Sequence, residues 1–575
     1  MVYIALRASC KARFCPCSHW NHRRATDMTM QRKDCLLSGA LASIVLATGL
    51  LFLPAWAQPS IYGPAHQTEI EQLLRRGWQL EMEGRWGEAV GHYEEAVRQF
   101  PGDRGLEERF QHARLHYELG RRYRDKSFCN LVSQLSFSQA LDVLGDVLRK
   151  IQVHYVESPH WKALVEDGTH ALNVALSEPA FLQRHCPGAD PRRVAEFRGR
   201  LRRTLGPMLI QSPADVRSAV ELASRLAQTE MGVRPAAVVM EFVCGMIGAL
   251  DIYSAYLTPD QLAEVYSQIE GSFVGLGVEL KADQGSLLIV RVIPGSPAEA
   301  AGIRAGDRIT AVDGIATSEL TTDQAADLLQ GRIGTVAELE VVTPPGTPRA
   351  VRVRRRHIDV PSVEGSRIID PDAGVAYFKI TCFQKTTTRD VDAALWSLYR
   401  HGMRSLVIDL RGNPGGLLNA AVEVADRFVS RGLIVSTRGR AVQEDVSYVA
   451  HASGTWRVPL VVMIDQDSAS AAEIFAGAIR DHRRGTIVGT RSYGKGSVQG
   501  IFPLETTGAG VRLTTARFYS PRGRTYCRVG VQPDLVVHQV ARPTEDGAFR
   551  TVSAPEYDPA LTAAVQAARR LASHN

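Results

Sequence analysis

The sequence predicts a multidomain α+β protein with a helical N-terminal region, a small strand-rich domain and an α/β domain on a mainly parallel sheet. Three observations carry this reading. Residues 66–265 place apolar side chains at helical spacing and hold few strand runs. Residues 266–357 switch to short strands, GSFVGLGVEL, SLLIVRVI, DRITAVDG and VAELEVVT, with turn residues between them. From about residue 366, the apolar runs VAYFKITCF, SLVIDLRG, VPLVVMI and TIVGT alternate with helical segments. Strands buried on both faces of a parallel sheet read this way. A chain of 575 residues has room for about three to five domains.

The expected boundaries are a leader at 1–57, a helical arm at 58–127, a helical domain at 128–265, the strand-rich domain at 266–358, the α/β domain at 359–545 and a C-terminal tail at 546–575. Hydrophobic residues make up 45% and charged residues 22%, as in ordinary folded protein. The net charge of +6 comes from 67 basic and 61 acidic side chains. That balance is no footprint of nucleic-acid binding.

In the leader, Arg32 and Lys33 precede the apolar run LLSGALASIVLATGLLFLP, and Ala55-Trp56-Ala57 follows it. A basic flank, an apolar core and a small-x-small site make a secretory signal. The long core leaves an uncleaved membrane anchor as the rival. Both place the protein in the cell envelope: exported and periplasmic, or membrane-anchored. Residues 1–27 show no pattern, and Met28 or Met30 would serve as starts. Beyond Ala57 stand Cys129, Cys186, Cys244, Cys382 and Cys527. Their wide spacing is neither a disulfide framework nor a zinc pattern, and no cofactor is implied. One bridge, Cys129–Cys186, is the loose pairing.

Within the arm, Gly77, Gly84, Ala89, Tyr93, Ala96 and Pro101 fall at the spacing of one tetratricopeptide repeat. LEERFQHARLHYELGRRYRD reads as a degenerate second unit, and a plain helical hairpin is the alternative. In the strand-rich domain VRVRRRHIDV alternates, so its arginines read as an exposed strand face rather than an acidic-ligand site.

Three stretches of the α/β region carry chemistry: DLRGNPGG (409–416), DSASAAEIFAGA (467–478) and RSYGKGSVQG (491–500). The first two lie at carboxyl ends of strands, where sites form in such sheets. Gly489-x4-Gly494-Lys495 nearly matches a phosphate-binding loop, but Gly496 stands where Ser or Thr is needed and a strand follows. Ser470, between a strand and a helix, is a helix cap or a nucleophile. No histidine lies close to it with an orienting acid. Lys495 would serve as base if burial lowered its pKa, with Gln499 to hold its amine. Gly415 or Gly416, and Ala471 at the helix start, offer N–H groups for an oxyanion. Taken singly, the same residues read as a cap, a surface lysine and turn glycines.

Together and in this order, the three stretches resemble the core of the carboxyl-terminal processing, or tail-specific, proteases. The family's serine lies in an S-A-S-A/S-S/A-E-I segment. Its lysine follows 25 residues later and its glutamine four further on, as Ser470, Lys495 and Gln499 do here. Asp481 falls where some members carry a functional aspartate; a helix-end charge is its plain reading. LDIYSAYLTPDQL, LTTARFYSPRGRTY and VGVQPDLVV extend the resemblance over about residues 230–540. Residues 266–357 resemble the family's PDZ domain, with Gly275, Leu276, Gly277 and Val278 at the carboxylate-binding loop. The resemblance implies a crotonase/ClpP-like core and a serine endopeptidase with a Ser–Lys dyad. Its partners would be protein substrates held by their C-termini, with an adaptor at the arm. Two departures stand out: Ala472 replaces a usual serine, and the arm lies outside the common architecture. A catalytically silent or latent scaffold that binds protein tails is the alternative.

Overall fold

The computed structural model describes residues 64–283, 286–319, 328–329, 331–538 and 558–573, with strand fragments at 2–3, 542–543 and 549–550. The expected signal segment lies outside the described residues. Among these residues no helix is long and apolar enough to cross a membrane. The chain divides into two compact units, one ending at Gly120 and the other continuing from Arg121.

In the first unit the helices Pro64–Met82 and Trp86–Gln99 form a hairpin, followed by a helix that begins at Arg104. Tyr93 is fully buried, and a Cβ on Gly77 would lie 2.1 Å from its ring. The repeat spacing therefore picks out a glycine that makes room for a tyrosine. The Tyr93 hydroxyl donates to buried Glu81 at 2.7 Å, and Arg109 Nε donates to the same oxygen at 2.9 Å. Leu106, Phe110 and Ala113 join this core. The segment expected as a degenerate second unit is one continuous helix, Arg104–Arg124, which runs through Gly105 and Gly120 without a turn.

The second unit opens with helices. Pro235–Leu250 is buried on nearly every side. In its middle, buried Glu241 accepts from Arg122 Nη2 at 2.8 Å and from the Tyr123 hydroxyl at 2.9 Å. A buried charge is tolerated only with such partners. The Cys129–Cys186 bridge is not formed. Each thiol donates to its own carbonyl instead, Cys129 to Tyr123 at 3.4 Å and Cys186 to Met231 at 3.0 Å.

The strand-rich domain is an antiparallel sheet in the order Val278–Asp283, Ser286–Val292, Arg308–Val312, Val336–Val342, Arg349–Arg354. Leu276, Leu287, Ile289, Ile309 and Val353 fill its core. Arg352, Arg354 and Arg356 are exposed, while Arg355 turns inward to the carbonyls of Leu328 and Leu329. A ribbon of Ser272–Gly275 and Arg356–Asp359 closes the domain.

In the α/β domain the strands Val363–Asp370, Val375–Ile380, Ser405–Asp409, Leu460–Ile464, Thr486–Gly489 and Leu535–Val536 lie side by side in chain order. The first pair is antiparallel and the rest are parallel. Helices Thr387–Arg400, Leu418–Asp426 and Ala471–Asp481 cover one face through Leu395, Leu418, Ile474 and Phe475. The segment expected as a tail corrects the boundary at 546: its helix Pro559–Ser573 covers the other face. Ala560, Ala564 and Ala568 recur every four residues. They form a flat stripe against Val375, Val407, Val461 and Val488. Beside this sheet stands an antiparallel one, in the order Val446–Ala450, Gly432–Gly439, Ala509–Tyr519, Ser497–Leu504, which Ala255–Leu257 joins at Ala509–Tyr519.

Ala564 has no room for a charge. Ala564→Asp should lower the stability of the α/β domain by about 3 kcal/mol or more, read as an earlier denaturant midpoint, whereas a true tail would leave the midpoint unchanged.

Candidate active site

The strand Leu460–Ile464 is entirely buried and ends in a tight turn. The turn's two serines behave differently. Ser468 Oγ accepts the Asp465 N–H at 2.9 Å and lies 2.9 Å from the Leu410 carbonyl, to which it donates. The Ala469 N–H donates to the Asn413 carbonyl at 2.9 Å, and the Gly412 N–H to Asp465 Oδ1 at 3.0 Å. These bonds lace the 465–470 turn to the glycine-rich 409–416 loop.

Ser470 sits at the cap position of the helix Ala471–Asp481, yet its hydroxyl makes no cap bond. Its φ is +60°, a region costly for any residue with a Cβ. Its Oγ is buried without a hydrogen-bond partner among the described residues. The Ala471 N–H, first in the helix, points from the positive end of the helix dipole. A Cβ on Gly415 would lie 2.8 Å from Ser470 Cβ and 3.1 Å from that nitrogen, so only glycine allows the loop this close. Gly415 donates its own N–H to Asn413 Oδ1 at 2.8 Å. That bond engages one of the three N–H groups expected as oxyanion donors.

Lys495 and Gln499 are buried in the same region. The Lys495 ammonium lies 4.6 Å from the centroid of the Tyr253 ring. Burial pushes the Lys495 pKa down to about 7, and the Arg512 charge adds to the effect. Gln499 Nε2 donates to Ser497 Oγ at 2.9 Å and to Thr514 Oγ1 at 3.4 Å. Its Oε1 has no partner among the described residues.

Glu473 joins the two halves. It is fully buried on the first turn of the Ser470 helix. One oxygen accepts the N–H of Ser470 at 2.8 Å and of Lys495 at 2.9 Å. The other accepts the Gly494 N–H at 2.7 Å and the Ser492 hydroxyl at 2.6 Å. Burial pushes its pKa up to about 7 while these donors pull the other way. Ser492 Oγ also accepts the Val531 N–H at 2.6 Å, which commits its proton to Glu473. All four partners donate, so the geometry fits the carboxylate.

Sequence reasoning missed Glu473, Tyr253, Asn413 and Ser492. Ser470-x-x-Glu473 is a capping-box pattern that could have marked the glutamate. Asp481, at the other end of the helix, holds Arg524 and the Arg522 N–H at 3.3 Å, and so clasps a surface turn.

Residues 374–537 match peptidase family S41, and residues 288–343 match a PDZ domain. The carboxy-terminal-processing protease of Bartonella bacilliformis is 38% identical over 301 residues, 51% of this chain and 68% of that one. The carboxyl-terminal-processing protease of Synechocystis is 34% identical over 301 residues, 51% of this chain and 70% of that one. A solved photosystem II D1 C-terminal processing protease is 26% identical, covering 71% of this chain and 96% of its own, with a TM-score of 0.37. The protein is a serine peptidase with a PDZ domain. It belongs to peptidase family S41, with the carboxyl-terminal-processing proteases.

Glu473→Gln keeps the shape but turns an amide donor toward N–H groups. It should lower kcat by about 100-fold with KM nearly unchanged, measured by steady-state kinetics beside a thermal melt that establishes folding.

Proposed function

We propose that Ser470 is the nucleophile and Lys495 the general base of an endopeptidase that selects substrates by their C-termini. The observation that carries this reading is the shared Glu473 oxygen. It pins the backbones of Ser470 and Lys495 together, beside an unpartnered serine hydroxyl and a lysine shifted to about 7. In this mechanism neutral Lys495 Nζ takes the Ser470 proton as Oγ attacks the peptide carbonyl carbon. The N–H groups of Ala471 and Gly416 receive the oxyanion. Lys495 returns the proton to the departing amine, leaving an acyl-serine. Water, deprotonated by Lys495, then releases the acyl group. Gln499 Oε1 accepts from the lysine ammonium and orients it.

The PDZ loop supports tail capture. The carbonyls of Leu276 and Gly277 accept the N–H groups of Ala298 and Ile293 at 2.9 Å each. The N–H groups of Leu276 and Gly277 have no acceptor among the described residues. With Gly275 and Val278 they form the proposed carboxylate cradle. Val278–Asp283, at the sheet edge, accepts the tail as an added strand. The core is read as crotonase/ClpP-like, supported by its chain-ordered parallel strands beside a second sheet. An envelope location rests on the leader, and an adaptor role for the arm rests on its repeat-like hairpin.

The test is cleavage of a loosely folded protein with an apolar C-terminal tail. Ser470→Ala and Lys495→Ala should each lower kcat/KM by about 1,000-fold or more, and amidating the tail should raise KM. With the lysine as base, kcat should rise with pH through about 7 and level off above it, because only the neutral amine takes a proton. Normal turnover by Lys495→Ala would exclude this mechanism.

A further inference from the structure

At the end of the parallel sheet remote from Ser470, an aromatic cluster adjoins an arginine-lined hollow. Trp396 and Tyr399 are 58% and 59% exposed on the helix Thr387–Arg400. Their rings stand 5.1 and 5.8 Å from the half-buried ring of Trp456. The next residue, Arg457, lines a hollow of about 500 Å³ with Arg480, Arg483 and Arg484. Asp534 is the one carboxylate in the lining, and it meets Arg480 at 3.4 Å. Arg484 is engaged by the carbonyls of Phe428, Trp456 and Val458. Arg457 and Arg483 have no ion-pair partner among the described residues.

Cations at a helix C-terminus complement its dipole, and this accounts for Arg480. It does not account for Arg457, which comes from another segment, or for the left-handed backbone of Arg483. The Arg483 N–H bonds the Arg480 carbonyl and the Arg484 N–H bonds the Ile479 carbonyl, each at 2.9 Å. This is a Schellman ending, whose left-handed position normally falls to glycine. Arg483 occupies it at φ +52°, so a guanidinium stands where the backbone favours no side chain.

We propose that this surface docks on an anionic lipid bilayer. Tryptophan and tyrosine settle at the headgroup level of membranes, and guanidinium forks match phosphate oxygens. The hollow supplies the charge and the cluster supplies the apolar anchor. The orientation suits a protease. Ser470 starts the helix Ala471–Asp481 and Arg483 follows its end, about 16 Å away at the helical rise. A docked molecule keeps its serine facing the aqueous side.

Hydroxyl-radical footprinting of the full chain tests this. Vesicles of phosphatidylcholine with phosphatidylglycerol should slow labelling of Trp396, Tyr399 and Trp456 several-fold, and phosphatidylcholine alone should not. Tethering by an inserted leader would not distinguish the two vesicle types, so the comparison isolates the anionic headgroup. The double variant Arg457→Glu/Arg483→Glu should weaken the protection-linked vesicle affinity by roughly 30-fold, and Trp396→Ser/Tyr399→Ser should also weaken it. Both variants should still cleave a soluble tailed substrate, which shows they are folded. Equal protection by both vesicle types, no protection on anionic vesicles, or protection that survives charge reversal would overturn the proposal. So would the same protection from inorganic phosphate alone, which would mark the hollow as a small-anion pocket.

Discussion

The Glu473 carboxylate lies where the parallel sheet meets the antiparallel one, and it gathers donors from both. Ser470 comes from the end of a parallel strand, whereas Ser492, Gly494 and Lys495 lead into the antiparallel sheet. A buried carboxylate without these donors would be costly to hold. With them, it fixes the backbones of Ser470 and Lys495 while leaving the Ser470 hydroxyl unengaged. The same residues that anchor Glu473 therefore set the spacing on which the proposed proton transfer depends.

The surrounding loops extend this constraint. Asn413 ties Gly415 to its own side chain and sends Nδ2 to the Ile380 carbonyl at 2.8 Å. The Phe383 N–H bonds the Gly415 carbonyl at 2.8 Å, and the Leu417 N–H bonds the Phe383 carbonyl at 2.7 Å. Arg411 holds Asp409 at 2.7 Å and Asp558, ahead of the C-terminal helix, at 2.8 Å. The glycine loop is thus braced from the sheet and from the helix behind it. Its flexible residue type ends up in one conformation.

Much of this was legible in the sequence because close approach demands particular residues. The glycines at 415 and 416 are imposed by contacts that a larger residue would break, and Ser468 by the two hydrogen bonds its hydroxyl makes. Alternating strands and helices likewise exposed the parallel sheet. Glu473 was harder to read because its first role, returning to the Ser470 N–H, is ordinary capping, and its other partners lie about twenty residues away. Tyr253 belongs to a segment read as the end of a helical block, and nothing local ties it to Lys495. The helix Pro559–Ser573 reads as a tail from sequence alone because its buried stripe is alanine, which signals burial weakly. The Cys129–Cys186 pairing failed because spacing alone cannot place two thiols together.

The site draws on Tyr253, the 409–416 loop, the 465–473 turn and the 492–499 segment, so it forms only when segments far apart in the chain have folded together. Chains in which the two sheets have not met lack the Glu473 bonds that hold the backbones of Ser470 and Lys495 together. On the proposed mechanism, peptide-bond cleavage is thereby confined to folded molecules.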